Sequence, residues 1–149
     1  MHSVFLKAMV TLGVFVSVSA PLNAQSRDSD VPIPSWMLGE FVDDYDIRYV
    51  IQEDQWLQGT RSLYHIEEWN VAERYLLARN SVENPGEPGL WTRIDWVVLE
   101  PWQDFEWAFC YAVYDAESMA AARAGPASNR GTPREGCNGF PFSRIRRAQ

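Results

Sequence analysis

The residues best suited to chemistry lie in the stretch GLWTRIDWVVLEPW. Successive side chains of a strand point to opposite faces, so Trp91, Arg93 and Asp95 share one face and Ile94 lies on the other. Two alternatives follow. The charged pair faces solvent, where it contributes little to stability, or it faces a cavity walled by tryptophan, where it holds the carboxylate or hydroxyl group of a ligand.

An inward-facing Arg93 and Asp95 need polar partners, because desolvation of charged groups is costly. The side chains available for this role are Tyr49, His65 and Glu67. If the protein has a ligand site, we therefore expect it to consist of Trp91, Arg93 and Asp95, with Tyr49, His65 and Glu67 opposite them.

His65 and Glu67 share a strand face and have the residue types of a general base and its orienting carboxylate. This pattern gives an enzyme as one alternative, a lyase or isomerase in which Arg93 fixes a substrate anion while His65, Glu67 or Asp95 moves a proton. No serine in a nucleophile-elbow motif accompanies them, and a single histidine among scattered carboxylates has no metal-ligand spacing. The sequence indicates neither a metal nor a cofactor.

Residues 1–24 have the composition of a secretory signal peptide. Lys7 precedes a short apolar run, and small residues follow as far as Ala24. The apolar run is too short for a membrane span and no basic stop-transfer cluster follows it. We therefore expect a mature chain that begins near Gln25, has no membrane span and is periplasmic or secreted.

The charge of the mature chain excludes two classes of function. Lys7 is the only lysine, and the net charge of −7 becomes more negative when it is removed. A lysine nucleophile or Schiff base is therefore excluded. An acidic chain without a basic stripe is a poor candidate for nucleic-acid binding, and the arginines at 144, 146 and 147 are interpreted as a solvated terminus.

The two cysteines, Cys110 and Cys137, predict one disulfide if the chain is exported to an oxidising compartment. The alternative of a reactive thiol or a metal pair lacks further ligands, because neither cysteine has a neighbouring histidine.

The chain divides into the signal peptide, a polar, proline-containing lead-in at 25–35 and a single domain at 36–149. Period-two patterning and short turn-like connections predict an antiparallel meander of about six strands, which closes into a small barrel. In the last strand, Trp107, Phe109, Tyr111 and Val113 share one face, and Ala108, Cys110 and Ala112 share the other. The three rings at 107, 109 and 111 are expected to point inward, and the Cys110 face outward. An alanine-rich helix with Asp115 as its N-cap follows, then a tail that carries Cys137.

This order of elements resembles the calycin superfamily of lipocalin-like barrels. The first strand carries Gly39-Glu40-Phe41, with Phe where the lipocalin Gly-x-Trp motif has Trp. Lipocalins also place a C-terminal Arg against that ring, so the resemblance implies that Arg144 or Arg146 stacks on Phe41 or Trp36. The predicted strand number is lower than the eight of lipocalins.

Three functions are compatible with these observations. The first is an exported small barrel that binds a small apolar or aromatic molecule without catalysis, in a cavity lined by aromatic rings. The second is the lyase- or isomerase-type enzyme described above. The third is a structural or protein-interaction module with a filled core.

Overall fold

The described part of the chain forms a closed, antiparallel barrel of eight strands with one short α-helix. The computed structural model describes residues 31–149 except Gln103, and only the backbone of Pro101 and Trp102. The predicted signal peptide and residues 25–30 of the lead-in lie outside the described residues. The elements are the 3-10 helix Ser35–Met37, β1 (Gly39–Asp43), β2 (Arg48–Ile51), β3 (Gln55–Gln58), β4 (Ser62–Asn70), β5 (Tyr75–Asn80), β6 (Trp91–Trp102), β7 (Phe105–Ala116), α1 (Met119–Ala124) and β8 (Ser143–Arg147).

Each strand pairs with the next, and β8 closes the barrel by pairing with both β7 and β1. The predicted all-β barrel is confirmed, but the expected number of about six strands is wrong. The two strands that the sequence does not predict are β3 and β8, the second of which lies in the predicted tail. Both are short and polar, and each has one fully buried apolar residue, Trp56 in β3 and Ile145 in β8.

The barrel has two distinct ends, which are called here the base and the mouth. The 3-10 helix covers the base, where Met37 is fully buried and Trp36 packs edge-to-face on Trp107, with ring centroids 5.9 Å apart. Three short connections between strands, at 44–47, 59–61 and 81–90, lie at the mouth, and the long connection from β7 to β8 starts and ends there as well. Antiparallel strands alternate in direction, so these three connections lie at the end opposite the 3-10 helix.

Aromatic rings fill the base half of the interior. Phe41, Trp56 and Phe109 all contact Trp107, with ring centroids 5.5–6.4 Å apart. Most of these contacts are edge-to-face, an arrangement that places the positive edge of one ring against the negative face of the next. The expected inward orientation of the rings at 107, 109 and 111 is confirmed.

A bulge changes the end of β7. Arg93 pairs with Val113, whereas the next residue, Ile94, pairs with Tyr111. Two residues of β7 therefore oppose one of β6, and the side-chain alternation shifts at this point. Val113 consequently faces outward with Arg93, and the prediction that it shares a face with Trp107, Phe109 and Tyr111 is wrong.

The tail, residues 126–142, covers the small-residue face of β7. Cys110 and Cys137 form the predicted disulfide, with an S–S distance of 2.04 Å. Phe142 packs over Ala108 and Ala112, which are both buried. Small side chains on this strand thus leave room for the tail, as their composition predicted.

The helix α1 packs on the outer face of β5, β6 and the end of β7. Its N-cap is Ser118, whose hydroxyl accepts the backbone N–H of Ala121, so the predicted cap at Asp115 is wrong. Strand β7 continues through Asp115, which explains the later helix start. In the described part of the chain, no helix combines the length and apolar character needed to cross a membrane.

Arg147 fastens the base. Its guanidinium lies 4.6 Å from the centre of the Phe41 ring and donates to the carbonyls of Leu38 and Trp36, at 2.7 and 3.1 Å. The prediction that Arg144 or Arg146 stacks on Phe41 or Trp36 is wrong. The register of β1 and β8 places Arg147 opposite Phe41 instead. Arg144 instead binds Asp44.

Candidate functional site in the barrel mouth

The mouth half of the barrel interior is polar, in contrast to the base. Strand registers place a set of hydroxyl, amide and carboxylate side chains on the inner face there: Asp43, Tyr49, Gln58, Ser62, Tyr64, Asn80, Thr92 and Tyr111. These groups lie above a floor of aromatic rings, where Phe109 contacts both Tyr49 and Tyr111 at centroid distances of 5.2 and 5.4 Å. This layer is the candidate functional site.

A chain of hydrogen bonds orders the layer. The hydroxyl of Tyr49 donates to Asp43 Oδ2 at 2.9 Å, and the hydroxyl of Tyr111 donates to Gln58 Oε1 at 3.0 Å. The indole N–H of Trp56 donates to the Tyr111 hydroxyl at 3.2 Å. Gln58 is also the register partner of Tyr49 in the pairing of β2 with β3, so both side chains lie on the same inner face. The polar atoms are thereby held in fixed positions.

Asp43 anchors this chain at the end of β1. Its Oδ1 accepts the backbone N–H groups of Tyr45 and Ile47, at 2.8 and 2.9 Å, which forms the turn into β2. Its side chain is only 2 % exposed. One carboxylate therefore both shapes the hairpin at the rim of the mouth and orients a tyrosine inside the barrel.

Part of the tyrosine layer borders accessible space. Tyr64, Tyr111 and Gln58 point inward, yet each keeps surface that water reaches, whereas Trp56 and Phe109 below them are fully buried. The rings of Tyr64 and Tyr111 lie 5.4 Å apart and are tilted by 33°. Their side chains lie on the inner face of a closed strand wall.

Burial determines the ionisation of these phenols. It raises the pKa of Tyr111 well above its usual value, and it raises the pKa of Tyr64 as well. Burial and, second, the hydrogen bond to Asp43 raise the pKa of Tyr49. All three hydroxyls therefore stay neutral and serve as hydrogen-bond donors and acceptors.

One polar atom of the interior has no hydrogen-bond acceptor among the described residues. It is the indole Nε1 of Trp107, a fully buried side chain of the aromatic floor. Most buried N–H groups have a partner, and an unsatisfied one costs about 1–3 kcal/mol. This donor lies in the filled base half of the barrel, among the rings of Phe41, Trp56 and Phe109.

The six residues predicted to form a ligand site are not brought together. Tyr49 lies inside the barrel, whereas His65 and Glu67 are exposed on its outer surface, Glu67 beside the bulge of β4. Trp91 packs under α1, on the outer face of the barrel, beside Tyr75 and Met119. The residues of the enzyme alternative are likewise dispersed, with His65 and Glu67 in solvent and Asp95 beneath the segment after α1.

Arg93 and Asp95 take neither of the two orientations considered. They point away from the barrel interior, but Arg93 is 7 % exposed and Asp95 fully buried. Arg93 Nε donates to Asp95 Oδ1 at 2.7 Å, and its guanidinium lies 4.2 Å over the Tyr75 ring. Residues after α1 cover the pair, so its partners are protein groups and its role in the fold is to hold that segment.

Sequence reasoning missed Gln58 and Tyr64 and did not assign Tyr111 to a site. The signal was the register of the hairpins: Gln58 pairs with Tyr49, and Tyr64 with the buried Trp56. Once β3 is recognised as a strand, alternation alone places these side chains inside. Among the residues that the structure describes, no group of three or more His, Cys, Asp and Glu side chains is arranged to hold a metal ion.

A second concave surface lies on the outside of the barrel. It is a groove of about 600 Å³ between the tail and the wall, lined by apolar residues that include Leu99, Ala108 and Phe142. The Asp44–Arg144 pair borders it, with Nε and Oδ2 3.0 Å apart. The two charges neutralise each other, so the groove offers mainly apolar contact.

Comparison with known proteins gives no match for this chain: no protein-family model, no curated protein and no solved structure is similar to it.

Proposed function

We propose that the protein is a binding protein for a small aromatic molecule, which enters the barrel through the mouth and is not chemically changed there. The observation that carries the proposal is the layer of inward-facing tyrosines that keep accessible surface above a floor of buried rings. Binding pockets of this kind combine aromatic walls with a few fixed polar groups. In this barrel the fixed groups are the hydroxyls of Tyr64 and Tyr111 and the amide of Gln58.

The chemistry of the layer favours binding over catalysis. Its hydroxyls are neutral phenols with raised pKa values, which disfavours their use as bases near neutral pH. Asp43 is engaged by two backbone N–H groups and a phenol. Neither observation supplies a poised proton acceptor, so the proposed role is recognition of a ring and of its polar substituent.

We also propose that the barrel is related to the calycin superfamily and that the protein acts after export. The support for the first is the Gly39-Glu40-Phe41 sequence on β1, with Arg147 stacked on Phe41. The support for the second is the composition of residues 1–24 together with the disulfide, which is typical of oxidising compartments.

The test is calorimetric titration of the purified protein with a neutral aromatic probe, 4-ethylphenol. We expect saturable binding that weakens about three- to tenfold in Tyr111→Phe, because one hydrogen bond is worth about 0.5–1.5 kcal/mol. Ser62→Phe, which adds a ring to the inner face beside Gln58, should abolish binding by filling the mouth.

Arg134→Ala is the matched control, since Arg134 borders the outer groove. Binding that is lost in Arg134→Ala and retained in Ser62→Phe would move the site from the mouth to the groove and overturn the proposal. Native mass spectrometry of protein purified from its own periplasm provides the independent readout: a co-purifying small molecule supports the assignment.

A further inference from the structure

We infer that the aromatic ligand of the mouth is a cation, an aromatic amine rather than a neutral or acidic ring; this inference rests on the proposed function. It goes beyond that function because it specifies the charge of the ligand.

The first observation is the buried charge of Asp43. This carboxylate is 2 % exposed, and no salt bridge reaches it from the described residues. Its three hydrogen bonds come from neutral groups, two backbone N–H groups and the Tyr49 hydroxyl. A negative charge in a medium of low dielectric acts over longer distances than one in water. Its field therefore favours a positive group in the mouth.

The second observation is the composition of the inner face around Asp43. The inward-facing residues of the mouth half are tyrosines, amides and hydroxyl residues, and no arginine is among those assigned there. Tyrosine rings present negative faces to a cation, and the geometry of Tyr64 and Tyr111 brings two such rings together. Gln58 Oε1 and the phenol oxygens add acceptors for ammonium N–H groups.

The third observation is the charge of the rim. The connections at 44–47, 59–61 and 81–90, with the lead into α1 at 117–118, carry five carboxylates and one arginine: Asp44, Asp46, Glu83, Glu87, Glu117 and Arg61. Asp44 is neutralised by Arg144. Arg48, Arg79 and Asp115 at the strand ends, and Arg134 near Asp44 in the outer groove, leave the rim slightly negative. Such a rim attracts cations and repels anions as they approach.

The experiment compares three probes of one size that differ in charge: tyramine, 4-ethylphenol and 4-hydroxyphenylacetate. Calorimetric titration of the full protein should give a preference for tyramine over 4-ethylphenol on the order of tenfold, and the weakest binding for the acid. Raised salt should reduce the preference in part, since it screens the rim more than the buried carboxylate.

Two variants locate the source of the preference. Asp43→Asn keeps an oxygen that can accept the turn N–H groups and removes the buried charge, so it should bring tyramine to the affinity of 4-ethylphenol. Asp46→Asn removes the same charge from an exposed position of the same turn. It should change the ratio less than about twofold. Circular dichroism and the midpoint of urea unfolding show whether each variant is folded.

The outcomes separate the two levels of the proposal. Binding of none of the three probes overturns the proposed function. Equal binding of all three, or a preference for 4-hydroxyphenylacetate, overturns the cation inference and leaves the proposed function intact. This comparison uses the unmodified protein, so it decides the inference even if Asp43→Asn fails to fold. Equal loss of preference in both variants contradicts the role given to Asp43.

Discussion

Ser128 donates both its backbone N–H and its hydroxyl to Asp95 Oδ2, and both hydrogen bonds are 2.7 Å long. The other carboxylate oxygen accepts from Arg93, which also donates to the backbone carbonyl of Arg123 at the end of α1. Arg130 approaches Asp95 to 3.6 Å and donates to the carbonyls of Trp96 and Glu73. A buried charge thus holds the segment after α1 against the barrel wall.

Removal of Arg93 should destabilise the protein strongly. Arg93→Ala leaves the buried carboxylate of Asp95 with Ser128 and the more distant Arg130, and loss of one partner of a buried pair costs about 3–5 kcal/mol. We expect a decrease near the lower limit, about 3 kcal/mol, in the free energy of unfolding measured with urea. Arg123→Ala is the control, because its pair with Glu68 is exposed and worth less than about 1 kcal/mol. Equal effects of the two substitutions would contradict this assignment.

Stability should fall at alkaline pH. The pKa values of Tyr49, Tyr64 and Tyr111 are raised in the folded state, whereas phenols of the unfolded chain ionise near about 10. Above that pH the unfolded state binds fewer protons than the folded state, so the free energy of unfolding falls as pH rises, by as much as about 1.4 kcal/mol per unit for each phenol. Below pH ~10 these groups add no pH dependence.

Chemical denaturation at a series of pH values, with phenolate absorbance as the second signal, measures this fall. Tyr49→Phe should make it shallower, and Tyr45→Phe, which removes an exposed phenol of the rim, is the control. A stability that stays constant to strongly alkaline pH would show that these phenols are not buried.

Cleavage of the disulfide should release the tail. Cys110 and Cys137 are 27 residues apart, and a crosslink over such a loop stabilises by about 3–4 kcal/mol in the chain-entropy model. Cys137→Ser should lower the free energy of unfolding by about this amount and increase proteolysis of the tail. Thiol labelling of the denatured, unreduced protein should give no signal; labelling of both cysteines would refute the pairing.

Arg147 should not be replaceable by lysine. Its planar guanidinium stacks on Phe41 and donates to two carbonyls at once, which an ammonium group does not reproduce. We expect Arg147→Lys to cost about 1–2 kcal/mol. Arg146→Lys, one residue earlier on the other face of β8, should be nearly neutral. A matching loss in both variants would mean that charge alone fastens the base.

The barrel and its disulfide were predictable from the sequence. The barrel follows from the local alternation of side chains along the strands, and the disulfide from the presence of two cysteines. Alternation of large and small residues along β7 indicated which face is covered, and the Cys110–Cys137 pair followed from a count of two. The strands β3 and β8 were not predictable in the same way. Each has one buried apolar residue among polar ones, and their pairing is established by partners elsewhere in the chain.

The site was less predictable than the fold for a physical reason. Alternation tells which residues of a strand share a face, but not whether an outer face is covered. Arg93 and Asp95 are on the outer face and are buried by a segment that is about 30 residues away in sequence. Tyr49 was placed in a site from the sequence and does lie in the mouth, but its partners Gln58 and Tyr111 come from strands whose register only the closed barrel defines.

The contact between Gly39 and Arg147 joins the first and the last strand of the barrel, and it has a consequence for folding. Gly39 has φ +125°, and a β-carbon there would collide with the guanidinium of Arg147 on its way to Leu38 and Trp36. The second partner of β1 is β8, which lies about 100 residues later in the sequence. Contacts between residues so far apart in sequence form slowly during folding. Until β8 arrives, both β1 and β7 present open edges to other chains. Refolding should accordingly become less efficient as protein concentration rises, and a separately added β8 peptide should compete for the same edges.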